Sequence, residues 1–199
     1  LLHYIPLSML DCDTDVIHQW WPAYEAVNAA YTRAVVDQKM TAGDLVWVHD
    51  FQLMVLPRML REALPKLKIG WFLHTPFPAA EVLIALPTHR ELVQALAAYD
   101  LIGFQTENDK RAFADYIRYE ARGTVTKDGR VSAFGRKFRI AVFPIGINPE
   151  QFEGPVANPK QMSWARDLKE RSGDGSWLIG VERLDYSKGI AQRFAAYER

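Results

Sequence analysis

The chain has 199 residues, of which 49% are hydrophobic and 24% charged, the balance of one globular domain or of one domain and part of another. Its 24 Lys and Arg residues match 24 Asp and Glu residues, and this neutral charge excludes the basic surface of a nucleic-acid-binding or anionic-membrane protein. The single cysteine, Cys12, has no partner for an internal disulfide, and the longest apolar runs fall short of the ~20 residues that span a bilayer. The chain begins without Met and stops inside a predicted helix. We therefore expect an interior piece of a longer globular protein, with no nucleic-acid or membrane partner.

Short apolar runs alternate with helical patterns along the chain. These runs are predicted to form buried parallel strands, because they are apolar on both faces and are bounded by polar residues, Gly or Pro. The predicted strands are Leu45–His49, Lys68–His74, Asp100–Phe104, Arg139–Phe143 and Trp177–Val181. The helix-start signals between them are Pro57 ahead of Leu60 and Ala63, the capping-box pair Thr88 and Glu91, and the similar pair Thr106 and Asp109. This alternation predicts βαβ units and a parallel sheet that is covered by helices on both faces.

Two segments interrupt the alternation. Thr124–Phe138 contains the Asp128-Gly129 pair between alternating residues, which predicts a hairpin. Pro144–Pro159 is rich in proline and predicts a domain boundary. The chain is thus expected to contain most of one α/β domain, residues 1–145, and the start of a second, residues 146–199.

Polar residues that are capable of chemistry follow the predicted strands where each one ends. Ligands of open parallel sheets bind outside the carboxyl ends of the strands, so convergence there predicts a site. The strand exits are His49-Asp50, His74-Thr75-Pro76, Gln105-Thr106 and Glu182-Arg183. Taken alone, Asp50 is equally well explained as the cap of the next helix or as a turn residue, and a structural role is favoured for a single His. Metal binding is disfavoured, because the histidines lie on different loops, no His recurs at i+3 or i+4, and no Cys joins them.

The segment from Gly180 to Gly189 predicts a phosphate site, because a strand ends there and a helix begins near Lys188. A helix N-terminus offers free N–H groups, and Arg183 and Lys188 add positive charge beside it. The alternative is a surface ion pair between Arg183 and Asp185, which contributes little. Glycine-rich fingerprints of dinucleotide-binding and P-loop proteins are missing at the strand exits, which disfavours those enzyme classes.

Four long motifs and one short segment resemble the trehalose-6-phosphate synthases, which are retaining GT-B glycosyltransferases of family 20. They are Val48–Leu53, Phe72–Pro78, Asp100–Asp109, Val181–Gly189 and the shorter Pro144–Ile147. The resemblance implies two Rossmann-like domains that face each other across a cleft, with an acceptor-side N-terminal domain over 1–145. Residues 146–199 would then hold the interdomain crossover and the truncated start of the donor-side C-terminal domain.

The resemblance also implies the reaction and its residues. The family transfers glucose from UDP-glucose to glucose 6-phosphate with retention, giving α,α-trehalose 6-phosphate, without metal or cofactor. A cytoplasmic enzyme that is a homo-oligomer at full length is expected. The family pattern implies acceptor binding by Asp50 and Gln105, contact of His74 with the transferred glucose, binding and neutralisation of the donor diphosphate by Arg183 and Lys188, and a role for Thr75 in anomer selectivity.

Three alternatives remain open. A glucosylglycerol-phosphate synthase would use glycerol 3-phosphate as acceptor, and the divergent Ile5-Pro6-Leu7 is compatible with another acceptor. A homologue that binds sugar phosphate without turnover is disfavoured, because the residues that the resemblance assigns to catalysis and binding are all present. They are Asp50, His74, Arg183 and Lys188. A metal-dependent phosphohydrolase would need the histidines and Asp50 as ligands. In every case the 199 residues alone are expected to be inactive.

Overall fold

The structure is a computed structural model, and it describes residues 14–41, 43–153, 159–173, 178–184 and 188–198. Its contacts divide the chain into two compact units, Leu1–Ile145 and Gly146–Arg199. The division lies within the proline-rich segment Pro144–Pro159. The identification of the two units as acceptor-side and donor-side domains stays a prediction.

The first unit is an α/β layer structure. Its described helices are α1 (Thr14–Asp37), α2 (Leu56–Ala63), α3 (Ala80–Leu83), α4 (His89–Leu96) and α5 (Glu107–Tyr119). Its described strands are β1 (Leu45–His49), β2 (Lys68–Phe72), β3 (Leu101–Phe104), β4 (Thr124–Val125), β5 (Arg130–Ala133) and β6 (Arg136–Val142). The sheet order is β1-β2-β3-β6-β5-β4; the first three pairs are parallel and the last two antiparallel. The predicted α/β fold with a parallel sheet is confirmed.

The register of the parallel strands brings their carboxyl ends to one edge. His49 pairs with Phe72, and Phe72 pairs with Gly103 on the next strand. Phe104 pairs with Val142. The loops that follow β1, β2, β3 and β6 therefore leave the sheet side by side, which is where the sequence predicts a site.

The hairpin prediction is confirmed at Asp128-Gly129 and incomplete beyond it. Gly129 joins β4 to β5 with φ 81°, and a Cβ there would collide with the carbonyl oxygen of Ile140. A second tight turn, with φ 52° at Phe134 and 71° at Gly135, leads into β6. As a result β5 is the second arm of the hairpin, and residues 136–138 at the end of the predicted hairpin segment continue into the predicted parallel strand as β6. β6 is antiparallel to β5 on one side and parallel to β3 on the other.

Of the two threonine caps predicted from the sequence, one is confirmed and one is wrong. Thr106 has extended backbone, and its hydroxyl oxygen accepts the N–H of Asp109 at 3.2 Å. Thr88 precedes α4 as predicted, but in the described structure its side chain makes no capping hydrogen bond. Its ψ of 16° is not the extended conformation of a cap, because it lies in a turn where His89 already donates its N–H to the Leu86 carbonyl at 3.0 Å.

The core lies between one face of the sheet and the helices. Trp71 on β2 stacks on Tyr99 just after α4, with 5.9 Å between ring centroids. Phe104 on β3 contacts Phe113 on α5 at 5.5 Å. Burial of these large apolar side chains is the dominant favourable contribution to folding, at roughly 25 cal/mol per Å².

The opposite face of the sheet is open in the described part of the chain, which corrects the expectation that both faces are covered. Leu45 and Trp47 on β1 are each 63% exposed. Together with Leu101, Phe143 and their neighbours they line an apolar groove of about 640 Å³. The reason is topological: the order β1-β2-β3-β6 runs in one direction, and right-handed crossovers in one direction place their helices on the same face.

The second unit is described only in parts. Its helices in the described ranges are α6 (Glu150–Glu153), α7 (Pro159–Ser172) and α8 (Ile190–Tyr197). The predicted strand Trp177–Val181 is wrong over its described residues 178–181, which are exposed and in no strand; Trp177 itself lies outside the described residues. A strand needs a hydrogen-bonding partner, and the described part of this unit contains none. Across both units, the described helices include none that is long and apolar enough to cross a membrane.

Candidate active site at the carboxyl edge of the sheet

Asp50 leaves β1 in a backbone conformation that is costly for a residue with a side chain. Its φ of 65° and ψ of −178° lie in a region that is essentially restricted to glycine, at a cost of about 1–3 kcal/mol. The neighbouring strand holds it there: the Asp50 N–H donates to the Phe72 carbonyl at 2.8 Å, and the Asp50 carbonyl accepts the Trp71 indole N–H at 2.9 Å. Strain that the surroundings enforce in this way is typical of functional sites.

The side chain of Asp50 is short of partners. Its Oδ1 is buried and, among the described residues, has no hydrogen-bond partner. It does not cap the short 3-10 helix Phe51–Leu53 that follows, which removes the helix-cap explanation for the described structure. An unsatisfied buried acceptor costs about 1–3 kcal/mol. The arrangement therefore suits a carboxylate that accepts hydrogen bonds from ligand hydroxyl groups.

Thr75, on the loop that follows β2, also has an unsatisfied side-chain oxygen. It is half-buried, and its Oγ1 is buried without a hydrogen-bond partner in the described part of the chain. The loop that follows β2 thus presents a second unsatisfied polar atom at the edge where Asp50 lies.

The two strand-end histidines contact each other, which the sequence analysis did not foresee. Nδ1 of His49 lies 2.9 Å from Nε2 of His74, and the rings are stacked at 29° with centroids 5.2 Å apart. One nitrogen must donate and the other accept, so this contact fixes the tautomers of both rings relative to each other. The contact depends on the strand register, which the sequence analysis did not predict. His49 pairs with Phe72 on the neighbouring strand, and His74 lies two residues after Phe72.

Gln105 lies at the same edge, at the exit of β3, and is half-buried. Its Oε1 accepts the main-chain N–H of Ile145 at 2.9 Å. Ile145 is the last residue of the first unit. The side chain is therefore tied by its oxygen to the start of the crossover segment, which leaves its amide N–H groups as the atoms that would contact an acceptor.

Helix α1 supplies support that the sequence analysis missed. The Tyr24 hydroxyl donates to the Phe51 carbonyl at 2.6 Å and accepts the Met54 N–H at 3.0 Å, and burial raises the pKa of Tyr24 to about 12. Asn28, one turn later, donates from Nδ2 to the Gln52 carbonyl at 3.1 Å. These two residues bracket the turn that follows Asp50. The sequence feature that could have indicated this role is their i,i+4 spacing, which places both side chains on the same face of an otherwise amphipathic helix.

The second unit carries the predicted phosphate residues. Arg183 and Lys188 are exposed, while the residues between them at 185–187, including Asp185 of the alternative ion pair, lie outside the described residues. Helix α8 begins at Ile190, just after Lys188, from a left-handed Gly189 with φ 61°. Glu182 is bound instead by Arg193 of α8 at 2.6 Å, and this hydrogen bond lowers the pKa of Glu182. Among the described residues, the Glu182 carboxylate is therefore paired with Arg193.

The arrangement of side chains bears on the metal alternative. Within the described residues, no group of three or more His, Cys, Asp or Glu side chains is placed to hold a metal ion.

Comparison with known proteins identifies the family of this chain. The profile of glycosyltransferase family 20 matches residues 1–199. Trehalose-6-phosphate synthase of Cronobacter sakazakii is 40% identical over 89% of this chain and 37% of its own length. The UDP-forming alpha,alpha-trehalose-phosphate synthase 1 of Arabidopsis thaliana is 38% identical over 100% of this chain and 21% of its own length.

Solved structures show the same likeness. The crystal structure of a UDP-forming alpha,alpha-trehalose-phosphate synthase from Burkholderia xenovorans, in complex with glucose 6-phosphate, matches with a TM-score of 0.80 and 43% identity over 90% of this chain and 40% of that one. An E. coli structure bound with UDP-2-fluoro glucose matches with a TM-score of 0.77 and 39% identity, covering 89% of this chain and 39% of that one. The chain therefore spans about two fifths of these solved relatives. It belongs to glycosyltransferase family 20.

Proposed function

We propose that this chain is part of a retaining glucosyltransferase that transfers glucose from UDP-glucose to glucose 6-phosphate and forms α,α-trehalose 6-phosphate and UDP. The observation that carries the proposal is Asp50, with a strained backbone and an unsatisfied buried carboxylate oxygen where the strands end. The relatives support it, since they are named for this reaction and one was crystallised with glucose 6-phosphate.

On the acceptor side, Asp50 accepts hydrogen bonds from sugar hydroxyl groups, and Gln105 donates from its amide nitrogen. The hydrogen bonds to the Asp50 carboxylate are charge-assisted and contribute about 1.5–3 kcal/mol each. His74 lies against the glucose that is transferred, oriented through its contact with His49. Thr75, the next residue, contributes to the choice of anomer.

On the donor side, Arg183 and Lys188 bind the diphosphate. The bond between the glucose C1 and the phosphate oxygen breaks, and the bond from C1 to the acceptor oxygen forms on the same face. Negative charge accumulates on the departing UDP, whose phosphate oxygen takes up the proton of the acceptor hydroxyl group. Fixed cations stabilise that charge more in the transition state than in the ground state, which accelerates the reaction. The proposal needs no metal and no cofactor, and it includes a cytoplasmic, homo-oligomeric full-length enzyme.

The test measures UDP release by the full-length protein from UDP-glucose with glucose 6-phosphate, with glycerol 3-phosphate, and without acceptor. We expect release that depends on glucose 6-phosphate and a product identified as α,α-trehalose 6-phosphate. Release that depends on glycerol 3-phosphate alone would identify a glucosylglycerol-phosphate synthase. Binding of sugar phosphate without any release would identify a non-catalytic homologue, and either result overturns the proposal.

A further inference from the structure

The loop that carries His74 and Thr75 has few main-chain anchors. Leu73 makes the last bond to the neighbouring strand, donating its N–H to the Gly103 carbonyl at 3.0 Å. Along the described loop, the next main-chain amide with a hydrogen bond is that of Phe77, which donates to Oδ1 of Asp109 at 3.1 Å.

Phe77 is itself firmly held. It is buried, and its ring contacts Phe104 and Phe113 edge-on, with centroid distances of 5.9 and 5.3 Å. Pro76 and Pro78 on either side restrict the backbone of the loop. Movement at Phe77 is thus transmitted to Thr75 and His74 over two or three stiff residues.

Asp109 is a buried acid with an unusual set of partners. It is 6% exposed and lies in the first turn of α5, where the helix dipole favours negative charge. Its Oδ2 accepts the Thr106 hydroxyl at 2.6 Å, and its Oδ1 accepts the Phe77 N–H. In a capping box, the acid at this position accepts the N–H of the cap residue itself. Here it binds the amide of another loop, so its burial does more than close the helix end.

We propose that Asp109 is a positioning residue for glucosyl transfer, which holds the loop of His74 and Thr75 through the amide of Phe77. This inference rests on the proposed function. Misplacement of reacting groups by about 1 Å can lower the rate by about 100-fold, so loss of this anchor affects turnover more than acceptor binding.

The experiment compares Asp109→Ala and Asp109→Asn in the full-length enzyme. We expect Asp109→Ala to lower kcat about tenfold or more while KM for glucose 6-phosphate changes by less than about threefold. Asp109→Asn should restore most of the turnover, because the amide oxygen still accepts the Phe77 N–H. Asp109→Glu, which keeps the charge but displaces the carboxylate by one methylene group, should lower kcat too and serves if Asp109→Ala does not fold.

Arg61→Ala is the matched control, since Arg61 also joins separate segments but at the amino ends of β2 and β3. Its guanidinium donates to the carbonyls of Leu67 at 2.6 Å and Ala98 at 3.1 Å, and to the Asp100 carboxylate at 2.9 Å. The Arg61→Ala variant should have a lower melting temperature and a nearly unchanged kcat.

An Asp109→Ala enzyme with the kcat of the wild type overturns the positioning role. So does an Asp109→Asn enzyme whose kcat is no higher than that of Asp109→Ala. A wild type without transfer activity overturns the proposed function and this role with it.

Discussion

At the residue scale, Asp50 combines two costs that a purely structural residue would avoid. Its backbone lies in a region suited to glycine, and one carboxylate oxygen is buried without a partner among the described residues. Its position at a strand exit was predictable from the sequence. Its conformation was not, because it is imposed by Phe72 and Trp71 on the neighbouring strand.

Asp50→Gly should therefore stabilise the full-length protein while it removes acceptor use. Relief of backbone strain and of the buried unsatisfied oxygen outweighs the entropic cost of glycine, and we expect a net gain of about 1 kcal/mol in the free energy of unfolding. Chemical denaturation and the transfer assay measure the two effects. A less stable variant would show that the strain argument is wrong.

In the proposed function, Arg183 and Lys188 bind the other substrate, the UDP-glucose donor. Alanine at either position should weaken UDP binding and lower turnover together, because both residues meet charge that grows as the bond to UDP breaks. The control is Arg130→Ala, which removes an exposed cation paired with Asp128 on the β4–β5 hairpin. UDP affinity that neither Arg183→Ala nor Lys188→Ala changes would exclude the phosphate site.

At the element scale, local patterns predicted the structure where local interactions decide it. Thr106 caps α5 because its own backbone is extended, whereas Thr88 does not cap α4 because its backbone, with ψ 16°, lies in a turn and is not extended. The continuity of β6 depends on pairing with β3 and β5, which are distant in sequence. The failed strand prediction at Trp177–Val181 has the same cause, since apolar residues form a strand only beside a partner.

The support from α1 leads to a prediction with a pH dependence. Tyr24→Phe removes both hydrogen bonds to the turn after Asp50 and should destabilise the full-length protein by about 1–3 kcal/mol at pH 8. The pKa of Tyr24 rises from 10.0 to about 12 on folding, so its contribution is complete below pH 10 and is lost as the pH rises to 12. The stability difference between wild type and variant should shrink over that interval. A difference that stays constant or grows would contradict this role for Tyr24.

At the scale of the whole molecule, the open face of the sheet governs how the 199 residues behave alone. Leu45 and Trp47 lie exposed on β1, which is also an edge strand of the sheet formed by the described residues. Exposed apolar surface and an unpaired edge favour self-association. We expect the isolated chain to aggregate and to form no trehalose 6-phosphate, as measured by light scattering and product analysis. A monomeric fragment that makes the product would refute this.

In the proposed function, the carboxyl edge of the first unit binds the acceptor sugar, and Asp50 is its principal contact. Titration calorimetry of the full-length protein with glucose 6-phosphate and, separately, with UDP tests it most directly. We expect Asp50→Ala to weaken binding of glucose 6-phosphate by at least about tenfold, which corresponds to the loss of one charge-assisted hydrogen bond, and to leave UDP affinity unchanged. Unchanged affinity for glucose 6-phosphate, or an equal loss for both ligands, would contradict it.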